Sequence, residues 1–306
     1  MKELVRANVA HQWLVMETTQ YISAEDIVRA DHQARGGATA HEGTIGQQEE
    51  IEALAAGLKS FATWNTTATL QECREACGGK GYLSENRIDA LKNDTDIYTT
   101  FEGDNTVLMQ LVAKSRLTEF KQEFSNMNVF TILNYVADQA KTSITEMNPI
   151  TVRNTSEEHL LDPEFQLQAF KYRERDILTS AAKRLKRHID SGMDSFDAFN
   201  VCQHHLIQVA FAYIERIILE QFISQVGNTK DAGCKVVLKK LCDLFALSQI
   251  DKNKGWYLEQ GYMEGVKTKA IRKVVNQLCW EIRQDAVPLT DAFNIPDRCL
   301  SAPIAL

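Results

Sequence analysis

Residues 96–118 read Asp-Ile-Tyr-Thr-Thr-Phe-Glu-Gly-Asp-Asn-Thr-Val-Leu-Met-Gln-Leu-Val-Ala-Lys-Ser-Arg-Leu-Thr, and this stretch decides the fold. From Val107 the apolar residues recur at 107, 108, 111, 112 and 117, close to the helical period, while Asp104, Asn105 and Thr106 supply N-cap chemistry. A helix is expected to begin there, with Glu102 at or just outside its N-terminus. Unpaired N–H groups and the helix dipole favour a charged carboxylate at such a place, whereas burial in an apolar pocket favours the neutral acid. A carboxylate balanced between the two can serve as a base, and becomes a stronger one once a ligand excludes water. The simpler reading is that Glu102 completes an N-terminal turn.

Upstream, residues 71–88 read Gln-Glu-Cys-Arg-Glu-Ala-Cys-Gly-Gly-Lys-Gly-Tyr-Leu-Ser-Glu-Asn-Arg-Ile. A glycine pair closing a helix, with a third glycine at 81, allows positive φ and lets another group approach the backbone closely. Taken together, Cys-Gly-Gly-Lys-Gly-Tyr-Leu and Tyr-Thr-Thr-Phe-Glu-Gly-Asp-Asn-Thr-Val-Leu-Met-Gln resemble the paired signatures of the acyl-CoA oxidase branch of the acyl-CoA dehydrogenase superfamily.

That resemblance implies a role for each matching position. Glu102 matches the base that removes the α-proton of a fatty acyl thioester while a hydride leaves the β-carbon for the flavin of FAD. Its backbone N–H is expected to hydrogen-bond the thioester carbonyl and stabilise charge developing there. Gly103 matches the glycine that leaves room for the thioester. Gly78, Gly79 and Gly81 match a loop that packs near FAD supplied largely by a partner subunit, and Thr106 lies in a segment expected near the cofactor. The implied reaction forms trans-2-enoyl-CoA in fatty acid β-oxidation and passes electrons to O2, giving H2O2.

The rest of the chain sets the fold class. With 306 residues, 44% hydrophobic and 25% charged, and five prolines, the composition is that of a mostly helical globular protein able to bury one large core or two moderate ones. A net charge of −7 argues against non-specific nucleic-acid or anionic-membrane binding. No apolar run reaches the roughly 18 residues that a membrane span needs, and no signal peptide is visible. The seven cysteines, scattered over helical patterns, suit reduced thiols and a reducing compartment. Cys73 and Cys77 sit one helical turn apart, but no second pair follows at zinc spacing, so no metal is expected.

Helical patterns are read over residues 1–31, ahead of a breaker at Arg35-Gly36-Gly37, and from about Gln47 to Cys77 with Ile51, Leu54, Ala55, Leu58, Phe61, Ala62 and Leu70 inward. Lys59 on that helix is either a solvated lysine or a phosphate anchor. Residues 82–100 read as a loop, and 126–142 as a short amphipathic segment. Asp162-Pro163-Glu164 opens a long helix to about Ile189, and Ser195 or Asp197 opens another to about Val226 with Val201 among its apolar face. The run Lys183 to His188 is either solvated or attractive to CoA phosphates, and His204 and His205 are read as core or surface histidines rather than ligands. Further helices are expected over 231–249, 256–263 and 266–286.

The expected fold is therefore all-α with two helical bundles. Residues 1–142 are expected to resemble the C-terminal four-helix-bundle domain of acyl-CoA dehydrogenases, 143–158 to link, and 159–306 to form the extra C-terminal domain of acyl-CoA oxidases, whose closing Asp-Ala-Phe is matched at 291–293. The family's N-terminal helical and middle β-domains have no counterpart, since no alternating strand patterns are present. The chain is expected to be the C-terminal half of an oxidase, inactive alone and part of a homodimer. A bacterial cytoplasmic location is expected, or a peroxisomal one in a eukaryote, although Ala302-Pro303-Ile304-Ala305-Leu306 is not a Ser-Lys-Leu-type address. An acyl-CoA dehydrogenase passing electrons to an electron-transfer flavoprotein, or a non-catalytic helical dimerisation module, are the alternatives.

Overall fold

The computed structural model describes residues 41–125, 152–296 and 302–305, and all regular structure among them is helical. The expected helix over 1–31, the breaker at 35–37, the segment 126–142 and Cys299 lie outside the described residues. Chain contacts divide the molecule into two units, Met1–Ser115 with Arg283–Leu306, and Arg116–Ile282.

In the first unit, α1 (His41–Ala76) is the scaffold. Its inward face carries Ala53, Ala56, Leu58, Phe61 and Cys73, with the small Ser60 buried among them. Leu58 and Phe61 are inward as expected. Ala55 is exposed: the buried stripe runs through 53, 56 and 60, and 55 falls beside it. Residues 82–100 depart from the expected loop. They contain a 3-10 turn at Ser84–Asn86 and a true helix, α2 (Ile88–Ile97), which enters through Arg87 at a left-handed φ of 58°. Only Ile88 is buried in α2, while Leu91 and Ile97 stay exposed. What holds it is tertiary contact, including Lys92 donating to the Gln71 side chain on α1. The motif helix, α3 (Asn105–Ser125), follows as expected, with Met109, Val112 and Ala113 fully buried.

The second unit is built on long helices. After a one-turn α4 (Glu157–Leu160), Asp162 caps α5 (Pro163–Asp190), its carboxylate accepting from the Glu164 N–H at 3.0 Å with proline in the first turn. Asp194 does the same for α6 (Ser195–Asn228), one residue before the expected start. Val209, Ala210, Tyr213, Ile214 and Ile218 are buried on α6, whereas Val201, expected on its apolar face, is exposed on the first turns. Asp231 caps α7 (Ala232–Lys252), which leads through α8 (Lys254–Glu259) to α9 (Gly265–Ile282). The chain then passes through α10 (Ala286–Asp291) to a C-terminal 3-10 turn at Pro303–Ala305.

Buried charge is concentrated between α5 and α6. Arg173 and Glu215 form an ion pair at 2.5 Å, both almost wholly buried, and Glu174 takes Arg216 on one side and Arg116 on the other. Arg116 and Arg216 also lie over the Tyr213 ring, so these guanidinium groups face both a carboxylate and a π-face. The 183–188 run is mostly exposed, with Lys186 paired to Asp190 one turn on, which is the solvated reading. His204 is exposed, and His205 meets Ser180 at 3.2 Å.

Candidate active site

The turn before α3 is shaped by two consecutive residues of positive φ, Glu102 at 58° and Gly103 at 103°. Glycine adopts this freely, but a residue with a Cβ carries a cost of about 1–2 kcal/mol in the left-handed region. Glu102 has no short side chain to bond its own backbone there, and such strain concentrates at functional positions. Its side chain does not complete the turn. Asp104 is the cap, accepting from the N–H groups of Thr106 at 2.9 Å and Val107 at 3.3 Å, so the helix start is satisfied without Glu102. Glu102 is exposed and makes no hydrogen bond to any other described residue.

What holds the strained turn is Lys59. From α1 its ammonium donates to the Gly103 carbonyl at 2.7 Å and to Asn105 Oδ1 at 2.8 Å. Asn105 is buried, its amide nitrogen donating to Thr63 Oγ1 at 2.8 Å and its backbone N–H to the Thr99 carbonyl at 3.0 Å. Burial lowers the Lys59 pKa, while the nearby negative charges of Glu102 and Asp104 oppose that shift. Lys59 is thus committed to the turn, and is neither a free solvated lysine nor an open phosphate anchor. A Cβ on Gly103 would come within 2.9 Å of Leu108 Cδ2, so this glycine has a reason inside its own chain.

The glycine bend lies at the C-terminal end of α1. Residues Gly78–Tyr82 form a 3-10 turn in which each glycine differs. Gly78 has φ 56° and, like Gly79, open space where a Cβ would stand. Gly81 is buried, and a Cβ there would sit 2.2 Å from the Arg74 carbonyl oxygen, a distance that requires glycine. The Arg74 guanidinium covers the Tyr82 ring at 4.3 Å. Gly81 meets α1 at Arg74, and Gly103 meets it at Lys59, fifteen residues apart, about 22 Å of helix. The glycine bend and the glutamate turn are therefore separate stations on one scaffold. Thr106 belongs to the glutamate turn, with its side chain half-buried.

Exposed apolar side chains stand near both stations, with Tyr82, Tyr98, Phe101 and Val107 all more than half exposed, among exposed Lys80, Glu85, Glu102 and Asp104. Among the described residues no group of three or more His, Cys, Asp or Glu side chains is placed to hold a metal ion. No helix among them is long and apolar enough to cross a membrane. The bonds that tie Lys59 and Thr63 to this turn could not have been assigned from sequence, because they span 42 to 46 residues with no motif linking their ends.

Comparison with known proteins bears on this arrangement. Residues 5–117 match the model of the acyl-CoA oxidase C-alpha1 domain, and residues 162–306 match the acyl-CoA oxidase model. The chain belongs to the acyl-CoA oxidase family and corresponds to its C-terminal helical domains. It is 43% identical over 257 residues to the peroxisomal acyl-coenzyme A oxidase 2 of Arabidopsis thaliana, an alignment that covers 84% of this chain and 37% of the relative. In fold it is similar to acyl-CoA oxidase 3 of Yarrowia lipolytica, with a TM-score of 0.83 at 22% identity, covering 99% of this chain and 43% of that one. It is also similar to Caenorhabditis elegans acyl-CoA oxidase-1 complexed with FAD and ATP, with a TM-score of 0.78 at 18% identity, covering 99% and 44%. The chain thus spans about two fifths of the length of these proteins. The named peroxisomal relative is a plant protein, and nothing supports the expected bacterial cytoplasmic location.

Proposed function

We propose that this chain supplies the catalytic base of an FAD-dependent acyl-CoA oxidase acting on fatty acyl-CoA thioesters in peroxisomal β-oxidation. The observation that carries this reading is Glu102 itself. It is held in a strained left-handed conformation, directed to solvent and relieved of capping duty by Asp104. A carboxylate needed only for the turn would be bonded within it, as Asp104 is. In the proposed reaction the Glu102 carboxylate takes the α-proton of the thioester and becomes the neutral acid. The turn's exposed backbone offers N–H groups to the thioester oxygen as charge develops on it.

FAD, when bound, supplies the two-electron acceptor for the hydride of the β-carbon, with O2 as the final oxidant. The open space above Gly78 and Gly79, where any other residue would place a Cβ, fits close approach of such a planar group to the backbone. The 22 Å of helix between the bend and Glu102 agrees with a bend that serves the cofactor of a neighbouring subunit in a homodimer. The exposed Tyr82, Tyr98, Phe101 and Val107 provide apolar surface for a partner subunit and for the N-terminal and β-domains that complete the relatives' length.

The test is Glu102→Gln in the flavin-loaded enzyme of full family length. Turnover should be abolished with FAD retained, and the oxygen dependence of the unsubstituted enzyme separates oxidase from dehydrogenase. An active Glu102→Gln enzyme refutes the assignment. The 306-residue chain alone is expected to be inactive, and release of H2O2 by it on a saturated acyl-CoA would refute that.

A further inference from the structure

The glycine bend is not self-supporting. It consists of two short 3-10 turns, Gly78–Tyr82 and Ser84–Asn86, whose internal bonds include Leu83 N–H to the Lys80 carbonyl at 3.2 Å and Asn86 N–H to the Leu83 carbonyl at 3.0 Å. Such turns have poorer hydrogen-bond geometry than an α-helix and do not persist on their own. The next residue, Arg87, is a non-glycine at φ 58°, which adds strain. On one side the bend is braced by Gly81 against Arg74. The brace on the other side is Asn86.

Asn86 is 4% exposed, and both ends of its side-chain amide are bonded. Its Nδ2 donates to the Lys80 carbonyl at 2.8 Å, inside the bend. Its Oδ1 accepts the backbone N–H of Ile304 at 2.9 Å, from the C-terminal 3-10 turn 218 residues later. One partner is a carbonyl and the other an N–H, so the amide orientation is fixed by chemistry: oxygen toward the tail, nitrogen toward the bend. Asparagine supplies both functions at this reach. An aspartate would set a carboxylate against the Lys80 carbonyl.

We propose that Asn86 is a positioning residue through which the C-terminal turn holds the glycine bend in shape. When Ile304 leaves, a buried acceptor on Asn86 loses its partner, and the side chain can move away from Lys80 to find water. The bend then loses the shorter of the two bonds to the Lys80 carbonyl, leaving only that from the Leu83 N–H, beside the two glycines with open approach. Because the tail contributes a backbone N–H, almost any residue serves at 304 except proline, which has no N–H to give. The consequence for flavin rests on the proposed role of Gly78, Gly79 and Gly81, whereas the tie itself does not.

The experiment compares Ile304→Pro, Asn86→Asp and removal of residues 302–306 with the unsubstituted 306-residue chain by amide exchange. Each change should speed exchange of the Leu83 and Asn86 amides by about fivefold, the effect of losing one ordinary hydrogen bond. Exchange in α6, in the other unit, should not change, which separates a local tie from general destabilisation. Unaltered exchange at Leu83 and Asn86 in Ile304→Pro and in the shortened chain overturns the proposal. In the flavin-loaded enzyme Ile304→Pro should weaken FAD retention by a similar factor while Glu102 is untouched. Faster exchange with undiminished FAD retention upholds the tie and refutes the cofactor role of the bend.

Discussion

Lys59 Nζ lies 2.7 Å from the carbonyl oxygen of Gly103 and, through that bond, fixes the turn that presents Glu102. The lysine crosses from the middle of α1 to a residue 44 positions later, and its second bond, to Asn105 Oδ1, anchors the first residue of α3. A strained turn persists only where its surroundings over-determine it, and here the surroundings are one ammonium group and one buried asparagine.

Replacing Lys59 by Met leaves the Gly103 carbonyl and the Asn105 oxygen without their donor. The expected loss of stability is about 1–3 kcal/mol. In the flavin-loaded enzyme kcat is expected to fall about tenfold with FAD content unchanged, because a misplaced base costs rate before it costs binding. Urea unfolding and steady-state rates check the two parts. An unchanged kcat would show that the turn needs no clamp.

Glu102→Asn separates stability from activity. Asparagine tolerates the left-handed region better than glutamate, so the variant is expected to gain up to about 1 kcal/mol in thermal unfolding. It also lacks the carboxylate and is expected to be inactive. A variant less stable than the unsubstituted protein would mean that Glu102 makes a stabilising contact that offsets its backbone strain.

The glycines of the bend are expected to respond unequally to alanine. Gly81→Ala drives a Cβ to 2.2 Å from a backbone oxygen that cannot rotate away, and should destabilise by about 2 kcal/mol or more. Gly79→Ala, with open space and no positive φ, should leave stability almost unchanged while weakening FAD retention in the holoenzyme. Equal thermal shifts for the two variants would contradict the close approach at Arg74.

In the second unit, Lys267 on α9 is 1% exposed, its Nζ 3.0 Å from His159 Nε2 and 3.9 Å from the centre of the Phe165 ring. Burial lowers its pKa to about 8, against about 10.4 in an unfolded chain. His159 is itself lowered, first by burial and then by Lys267, with Asp162 opposing. Between about pH 8 and about 10.4 the unfolded chain binds more protons than the folded one, so this group's contribution to stability rises with pH across that window. The unsubstituted protein should gain on the order of 2 kcal/mol relative to Lys267→Met between pH 7.5 and 10, measured by urea unfolding. A difference that stays constant, or falls, would show that the lysine is not desolvated in the folded state.

Much of the fold was legible in local chemistry. Asp162-Pro163 and the 107–117 period announced helices that the structure contains, because capping and amphipathic spacing act over a few residues. Helix α2 was not legible: with one buried residue it is held by neighbours rather than by its own pattern. The helical apolar pattern places Ala55 and Val201 inward, yet the buried stripe misses both. The Arg173–Glu215 pair was equally hidden, since its members stand 42 residues apart and look like surface charges until two helices close over them.

By itself the sequence determined the helical class, the position of most helix starts and the two signatures that define the family, because each depends on neighbours within a turn or two. Only the tertiary structure decided that Lys59 is spent on the turn, that the glycine bend and the glutamate turn meet α1 about 22 Å of helix apart, and that Asn86 is bonded to Ile304. Those relationships are bonds between residues tens to hundreds of positions apart. No local preference encodes them, and they come into being only when the packed helices bring their ends within 3 Å.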